Sequence, residues 1–181
     1  MFFEREENSM RKFLIFLYCL AITLLSYPAM ADVFDVTNEN GLFNHLANDR
    51  TMNFLNDIDC SSKEKNFFYK NLVVEGNGYS LNGNNVKIRF TFRGKNNITF
   101  KNLTVKNFQR YDVYGGFYLG QGQANLFIDN VTFDNISTDD ASEIYGGVIN
   151  VTDNSELSVV NSVFQNNHQY KSSGRGDNPL G

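Results

Sequence analysis

Three ten-residue segments of the chain repeat one pattern of apolar residues and asparagines, and this repeat limits the possible folds more than any other feature. The segments are ITFKNLTVKN from Ile98, LFIDNVTFDN from Leu126 and LSVVNSVFQN from Leu157. Each is apolar at its first, third and eighth positions and has asparagine at its fifth and tenth. An internal period of about 20 to 50 residues is typical of solenoids, whose stacked repeats bury a continuous core. The first asparagine column is Asn102, Asn130 and Asn161, and the second is Asn107, Asn135 and Asn166.

The alternation within each segment predicts two short strands that meet at the first asparagine. Apolar residues at period 2 place Ile98 and Phe100 on one face of a strand. After Asn102 the phase shifts, and Leu103 and Val105 become the inward residues. Asparagine is the non-glycine residue that most readily adopts a left-handed backbone conformation, and its amide can bond to nearby backbone. The pattern therefore predicts a corner at each asparagine and, in successive coils, a stacked amide ladder.

A looser copy of the repeat, LVVEGNGYSLNG, begins at Leu72. Here Gly76 and Gly83 stand at the two corner positions, which glycine can occupy because it adopts left-handed conformations freely. The following segment, KIRFTF, alternates in the manner of a third strand. Its predicted inward residues are Ile88, Phe90 and Phe92, and its predicted outward residues are Lys87, Arg89 and Thr91.

The words VYGGFYL, from Val113, and IYGGVIN, from Ile144, start 31 residues apart and fall on the same third side of their units. Their glycine pairs, Gly115–Gly116 and Gly146–Gly147, are expected to permit a sharp entry into each strand. Three strands per turn cannot bury their own apolar face, whereas stacked turns form parallel sheets around a shared core. The leading apolar residues of the four units, Leu72, Ile98, Leu126 and Leu157, are 26, 28 and 31 residues apart.

These observations predict an all-β fold, a right-handed single-stranded parallel β-helix of about four coils over residues 52–170. The alternative is a β-sandwich of antiparallel hairpins, which also shows many short alternating strands. Hairpin turns, however, do not explain asparagine columns that recur in phase.

The N-terminal segment has the pattern of a cleavable signal peptide. Arg11 and Lys12 precede an apolar run over residues 13–25, and a small-x-small site follows at Ala29–Ala31. Met10 is the better candidate for the first residue, and residues 1–31 are predicted to be removed. The apolar run is shorter than the roughly 20 residues that a membrane-spanning helix needs, so no transmembrane segment is predicted in the mature chain.

The two ends of the predicted β-helix differ. Residues 32–51 contain TNENGLFNHLAN, in which Leu42, Phe43 and Leu46 have helical spacing and Thr37 or Asn38 can cap the start. Such a helix is expected to cover the first coil, since solenoid ends otherwise expose unpaired strand edges. Residues 171–181 show no comparable cap and are interpreted as a truncated or disordered tail.

The composition argues against a nucleic-acid-binding protein, a disulfide-stabilised fold and a disordered chain. A net charge of −4 argues against a nucleic-acid partner. Cys19 lies in the predicted signal peptide, which leaves Cys60 alone and allows no internal disulfide. Asparagine accounts for 25 of the residues after Ala31, a polarity that suggests disorder, but the apolar residues at period 2 are not a feature of disordered chains.

The paired glycines and the Phe-Asn words resemble the passenger domains of autotransporters, particularly the polymorphic outer membrane protein type. That type carries GG-(A/I/L/V)-(I/L/V) and F-x-x-N words, which GGVI at Gly146–Ile149 and FQNN at Phe164–Asn167 match. GGFY carries aromatics instead, and FDNI has its asparagine one place early. The resemblance implies an exported adhesin-like protein at the cell surface or outer membrane. It would present the loops Gln109–Tyr114 and Ile136–Tyr145 to a host or matrix surface protein or glycan, without catalysis or a cofactor.

A carbohydrate-active β-helix enzyme or binding module, similar to a pectate lyase or polygalacturonase and acting on acidic polysaccharide, is the alternative. Asp139–Asp140 is the only adjacent acidic pair after residue 31, and nothing in the sequence fixes a second carboxylate across a substrate at about 5 to 9 Å. His45, His168 and Cys60 lack metal-ligand spacing. No catalytic, cofactor or metal residue is therefore predicted.

The tail contains the triplet Arg175, Gly176 and Asp177, which is the tripeptide that integrins read. It is the one candidate binding motif in the sequence. The register of the coils already calls for glycine at this point, so the repeat alone accounts for part of the triplet.

Overall fold

Short parallel strands stack on one another at a near-constant offset in sequence and enclose an apolar core. The structure, a computed structural model, describes residues 32–61, 64–85, 89–109, 116–120, 122–138 and 147–169. Every strand pairing within these residues is parallel. This arrangement confirms a parallel β-helix and rules out the antiparallel sandwich. The predicted signal peptide and tail lie outside the described residues.

The first side of the stack is a series of six strands paired in register. Leu126 pairs with Ile98 on one side and with Leu157 on the other, as the aligned repeats require. In order across the sheet the strands are β1 (Asp32–Val36), β2 (Arg50–Phe54), β5 (Leu72–Glu75), β8 (Asn96–Lys106), β10 (Ala124–Asp134) and β13 (Glu156–Val160).

The second side begins beyond the first asparagine corner. Strands β8 and β10 bend at Asn102 and Asn130 and continue onto this side, so each contributes to two sides of the stack. The other strands here are β3 (Ile58–Asp59), β6 (Ser80–Asn82) and β14 (Val163–Gln165). Beyond the second corner, β11 (Ser137–Thr138) pairs with β15 (His168–Gln169).

The third side joins the segments that the sequence had assigned to it. Phe117, from the first paired-glycine word, pairs with Phe90 of KIRFTF and with Ile149 of the second word. This confirms that the two words lie on one side of successive coils. The strands in sheet order are β12 (Ile149–Val151), β9 (Phe117–Leu119), β7 (Arg89–Phe92) and β4 (Glu64–Phe67).

A short helix, α1 (Glu39–Asn44), follows β1. Its N-cap is Asn38, whose side-chain oxygen accepts a hydrogen bond from the Gly41 N–H at 2.8 Å, as the sequence predicted. Leu42 is buried, and the Phe43 ring lies 6.3 Å from that of Phe67.

The core is lined by phenylalanines that stack from coil to coil. Phe92 lies between Phe67, at 5.0 Å between ring centroids, and Phe117, at 5.7 Å, in near-parallel geometry. Phe133 contacts Phe117 edge-on at 5.4 Å. Offset and edge-on aromatic pairs are each favourable beyond their buried area, so the column links neighbouring coils directly.

The corners have left-handed backbones at asparagine, with φ of 54° at Asn102 and 57° at Asn107. The equivalent residues of the next two coils, Asn130, Asn135, Asn161 and Asn166, have φ between 50° and 55°.

The predicted role of Gly76 and Gly83 was wrong. Positive φ occurs one or two residues later, at Asn77 and Gly78 in the first corner and at Asn84 and Asn85 in the second. Gly76 is needed for a different reason. A Cβ on it would lie 2.6 Å from the Asn102 carbonyl oxygen and would collide with the Leu103 side chain. Gly83 faces the Asn107 carbonyl oxygen in the same way, also at 2.6 Å. Close approach to the next coil, rather than backbone handedness, therefore requires glycine at both positions.

Candidate binding surfaces

The asparagines at the two corners form side-chain ladders along the stack. At the first corner, the Asn130 amide donates to the Asn102 Oδ1 at 3.0 Å, and the Asn102 amide donates to the Glu75 carboxylate at 3.0 Å. At the second, Asn135 donates to Asn107 at 2.8 Å, and Asn107 donates to Asn82 at 3.0 Å. The ladders hold the corners of neighbouring coils in register.

A third ladder runs along the start of the first side, and the sequence reasoning missed it. Asn125 donates to the Asn97 Oδ1 at 2.9 Å, Asn97 to Asn71 at 3.3 Å, and Asn71 to the Asp49 carboxylate at 2.7 Å. The sequence does contain a pattern that indicates this ladder, because an asparagine immediately precedes the leading apolar residue of three units, Leu72, Ile98 and Leu126.

All three ladders have the same direction, and each ends on a carboxylate. In every pair the amide N–H belongs to the later coil and the acceptor oxygen to the earlier one. The series end at Asp49, at Glu75 and, through a 2.8 Å bond from Asn82, at Asp59. A parallel bond joins Asn53 to Asp35 at 2.8 Å. Hydrogen bonds to charged acceptors are stronger than neutral ones, so these carboxylates anchor the N-terminal end of each ladder.

The ladders change partner at the last described coil. The Asn161 amide donates to Asp129 at 3.0 Å rather than to Asn130, and the Asn166 amide donates to Asp134 at 2.8 Å rather than to Asn135. Among the described residues, no donor reaches the Oδ1 of Asn161 or Asn166.

The Glu75 side chain is largely buried, with 13% of its surface exposed, and its pKa is perturbed. Burial raises its pKa, but the Asn77 N–H at 3.0 Å, the Asn102 amide and the Lys101 ammonium at 3.0 Å stabilise the charged form. The net effect lowers the pKa of Glu75 below its usual value of 4.5. Its charge therefore belongs to the structure of the corner.

Asp57 is an exposed carboxylate whose charged form is also stabilised by a hydrogen bond. The Ser80 N–H donates to its carboxylate at 2.8 Å, and this bond lowers the pKa of Asp57 below its usual value of 3.8. The carboxylate fixes the start of β6 at the second side of the coil.

The outer face of the third side differs from the prediction. Thr91 was placed on the outward face of its strand, yet it is fully buried, and within the described residues its hydroxyl has no hydrogen-bond partner. On the neighbouring strand the Tyr118 ring lies over Gly120, where a Cβ would collide with it. The Thr152 hydroxyl lies 3.4 Å from the Tyr118 hydroxyl. Alternation in sequence cannot report what covers the outward face of a strand, so this burial was missed.

The predicted projecting loops are only partly described. Gln109 forms a parallel bridge with Ser137, and residues 110–114 lie outside the described residues. The second loop was placed too early. Ile136 is buried, and Ser137–Thr138 is a strand, so the stack continues where a loop was predicted to begin. Apolar burial at Ile136 is the physical reason.

The predicted paired glycines are described at one residue of each pair. Gly116 is buried and leads into β9. Gly147 precedes β12, and no atom of the described residues lies within 4 Å of where its Cβ would be. Neither has a positive φ. Gly115, Gly146, the acidic pair Asp139–Asp140 and the triplet Arg175, Gly176 and Asp177 lie outside the described residues.

The histidines and cysteine considered as metal ligands lie apart. The His45 ring stacks on Phe34 with centroids 4.1 Å apart, and the Cys60 side chain is buried in the core. His168 is in β15. Across the described segments, no group of three or more histidine, cysteine, aspartate or glutamate side chains is placed to hold a metal ion. The same segments contain no helix that is long and apolar enough to cross a membrane.

Parallel strands on three sides, corners built on left-handed asparagines and a phenylalanine core define a protein of the parallel β-helix class. Residues 33–145 match the family model of a pectate lyase-like adhesive domain, and this match covers more than half of the chain. The chain therefore belongs to the pectate lyase-like adhesive domain family. Searches of curated proteins and of solved structures each returned no significant match.

Proposed function

We propose that the protein is an exported, surface-associated adhesin that binds through its loops and catalyses no reaction. Its membership of an adhesive domain family supports the binding role. A stacked β-helix also suits that role physically, since it presents flat ladders and tolerates loop insertions without disturbing the core.

The proposal that the chain is not a catalyst rests on the hydrogen bonds that its carboxylates accept. Glycoside hydrolysis needs two carboxyl groups held across a substrate at about 5 to 9 Å. In this protein Asp49, Asp59 and Glu75 each accept an asparagine amide, and Asp129 and Asp134 do the same in the last coil. These acidic groups stabilise corners.

We also propose the handedness of the winding, the number of coils and the role of the helix α1. The winding is right-handed, and the four repeat units that begin at Leu72, Ile98, Leu126 and Leu157 form four coils beyond β1 and β2. The helix α1 covers the N-terminal end. Burial of Leu42 and the contact of Phe43 with Phe90, at 6.1 Å between ring centroids, support the capping role of the helix. We further propose that the chain is of autotransporter-passenger type, delivered to the cell surface or outer membrane after removal of residues 1–31.

The binding contacts are proposed to lie in the segments 109–114 and 139–145 and at Arg175, Gly176 and Asp177. The ladder residues and the glycines Gly115, Gly116, Gly146 and Gly147 would position these segments rather than touch the ligand. The proposed partner is a host or matrix surface protein or glycan.

A paired binding and turnover assay tests the proposal. The purified chain is applied to arrays of immobilised matrix proteins and glycans, and in parallel it is incubated with acidic polysaccharides while reducing ends and unsaturated products are measured. We expect saturable retention on a surface and no product above background. Product release would instead support the pectate lyase-like or polygalacturonase-like alternative.

Variants locate the contacts. Replacement of residues 110–114 by Gly-Ser repeats should abolish retention, whereas Asp177→Glu tests the triplet separately. As a control, Phe127→Ser changes an exposed residue of β10 and should leave retention intact. Equal retention by the loop variant and the native chain would contradict the assignment of that loop.

A further inference from the structure

Two neighbouring coils carry cations at the corner where the third side of the stack turns into the first side. In one coil this corner joins β4 to β5 and carries Lys70, and in the next it joins β7 to β8 and carries Arg93 and Lys95. The strands on either side of the corner pair in register, so the two corner segments lie side by side. We call residues 68–70 and 93–95 the basic corner.

The cations of the basic corner are not neutralised by acidic side chains. Elsewhere in the stack, Arg50 forms an ion pair with Asp32 at 2.6 Å, and Lys101 forms one with Glu75 at 3.0 Å. Within the described chain, no carboxylate forms an ion pair with a cation of the basic corner. Both of its lysines are exposed. Because like charges on neighbouring coils repel each other, an anion that contacts both coils is attracted to this corner.

An exposed aromatic ring adjoins these cations. Phe68 is 55% exposed, and the Arg93 guanidinium lies over its ring, with the Cζ atom 6.0 Å from the ring centroid. The Arg93 Nε is buried and has no hydrogen-bond acceptor among the described residues. The ring, rather than an acidic group, therefore holds the guanidinium in place. An exposed ring of this kind offers a flat apolar surface on which the C–H face of a sugar can pack.

The backbone of the basic corner is held by hydrogen bonds in both coils. The Lys70 N–H donates to the Asn48 Oδ1 at 2.9 Å, and the Lys70 carbonyl oxygen accepts from the Asp49 N–H at 2.8 Å. In the next coil, the buried Asn96 amide donates to the Arg93 carbonyl oxygen. A fixed backbone reduces the entropy that is lost when side chains bind a ligand, so the basic corner is preorganised for binding.

We propose that the basic corner binds a sulfated polysaccharide. The inference rests on the proposed function, since it names the class of glycan that the adhesin binds. Sulfate groups would contact the ammonium groups of Lys70 and Lys95 and the guanidinium of Arg93, and a sugar ring would pack on Phe68.

Two other polyanions fit the basic corner less well. A polyuronate carries one carboxylate on each sugar, whereas cations that cluster on neighbouring coils favour a polymer with a higher density of charge. Single-stranded nucleic acid binds along a basic groove with several aromatic rings on which successive bases stack. Phe68 is the one exposed ring of the basic corner, which suits a single sugar better than a series of bases.

A direct titration tests the proposal. The purified chain is titrated into a fluorescent heparin oligosaccharide and binding is followed by anisotropy, with unlabelled polygalacturonate, dextran and single-stranded DNA as competitors. We expect saturable binding of heparin that weakens as salt is added, because salt screens contacts between exposed charges. Polygalacturonate and DNA should each compete at least about fivefold more weakly than unlabelled heparin, and dextran should not compete.

Variants that remove one charge locate the site. Lys70→Gln and Lys95→Gln should each weaken heparin binding by about three- to fivefold, and the double variant by at least about tenfold. Lys106→Gln is the matched control, because Lys106 lies on the second side and forms no ion pair among the described residues. It changes the net charge equally and should alter binding by less than about twofold.

Phe68→Ser tests the aromatic contact separately from the charges. It removes the exposed ring and should weaken heparin binding by about threefold or more. Circular dichroism verifies that each variant is folded, as expected for changes to exposed side chains.

Several outcomes would overturn the proposal. They are the absence of saturable heparin binding, competition by polygalacturonate or DNA that equals competition by heparin, and an effect of Lys106→Gln as large as that of Lys70→Gln. The array assay separates this inference from the adhesin proposal. If the double lysine variant is retained on immobilised surfaces as strongly as the native chain, the basic corner is not the glycan site and the adhesin proposal stands. If the native chain is retained on no surface, the adhesin proposal itself is contradicted.

Discussion

Strand β10 and the last described coil share one sequence pattern, but their equivalent apolar residues are buried to different extents. Phe133 and Phe164 pair in register at the same position of the repeat, yet the first is fully buried and the second is about half exposed. The difference lies in the number of neighbouring strands, because β10 has a strand on each side, whereas β14 has, among the described residues, a strand on one side only. Stability in this fold therefore resides in the interface between coils, as expected for a quasi-one-dimensional solenoid.

The largest expected effect comes from the phenylalanine column. Phe133→Ala removes a fully buried ring and should lower the free energy of unfolding by about 3 to 5 kcal/mol. Phe164→Ala removes a ring that is already open on one side and should cost about 1 kcal/mol. Urea denaturation followed by circular dichroism measures both values. Equal losses would show that the terminal coil is covered in solution.

Glycine substitutions extend the comparison to the backbone. Gly76→Ala places a methyl group against the Asn102 carbonyl and Leu103, and overpacking of this kind costs about 1 to 3 kcal/mol. Gly147→Ala, next to the last described coil, places its methyl group more than 4 Å from every atom of the described segments and should change stability by less than about 0.5 kcal/mol. The same denaturation measurement applies. A neutral Gly76→Ala would mean that neighbouring coils are further apart than the structure has them.

Substitutions at the corner asparagines distinguish the contribution of backbone conformation to stability from the contribution of hydrogen bonding. Asn102→Ala forces alanine into a left-handed conformation and removes bonds to Glu75 and Asn130, so we expect a loss of about 2 kcal/mol. Asn161→Ala forces alanine into the same left-handed conformation but removes one bond instead of two, so it should cost less, about 1 kcal/mol.

Asn102→Gly is the matched control because it accepts the same φ without strain while removing the ladder. It should recover about half of the loss in thermal or chemical denaturation. If Asn102→Gly recovers all of the stability that Asn102→Ala loses, the result would contradict a role of the ladder in stability.

The smallest expected effect is a pH dependence at Glu75. Its pKa is lowered in the folded state, so below about pH 4.5 the unfolded chain binds more protons and stability falls as the pH falls. Glu75→Gln should flatten this acid slope. Glu156→Gln is the matched control for the loss of one carboxylate, because within the described residues the Glu156 carboxylate accepts no hydrogen bond. An unchanged slope in Glu75→Gln would contradict the role of its charge.

The sequence predicted those features that depend on residues close together in the chain. Alternation and the phase shift at Asn102 located the strands and the first corner, and Asn38 was a correct N-cap. The paired-glycine words were correctly assigned to one side, because each follows the second asparagine of its unit.

Features that depend on the neighbouring coil were missed. Gly76 is fixed by Leu103, which lies a full coil later, and the burial of Thr91 depends on what covers its strand. Ile136 was assigned to a loop because it follows a corner, although it packs into the core. The third ladder was readable from Asn71, Asn97 and Asn125, but it required knowing that these residues stack.

The central claim is that residues 28 apart in β8 and β10 lie side by side in parallel strands. Spin labels on three outward pairs, Asn97 with Asn125, Thr99 with Phe127, and Thr104 with Thr132, test it by dipolar broadening. Adjacent parallel strands are about 4.8 Å apart, so all three pairs should show the same strong broadening. In an antiparallel arrangement the residue numbers of opposed pairs share a constant sum rather than a constant difference. Strong broadening in only one of the three pairs would therefore contradict the parallel stack.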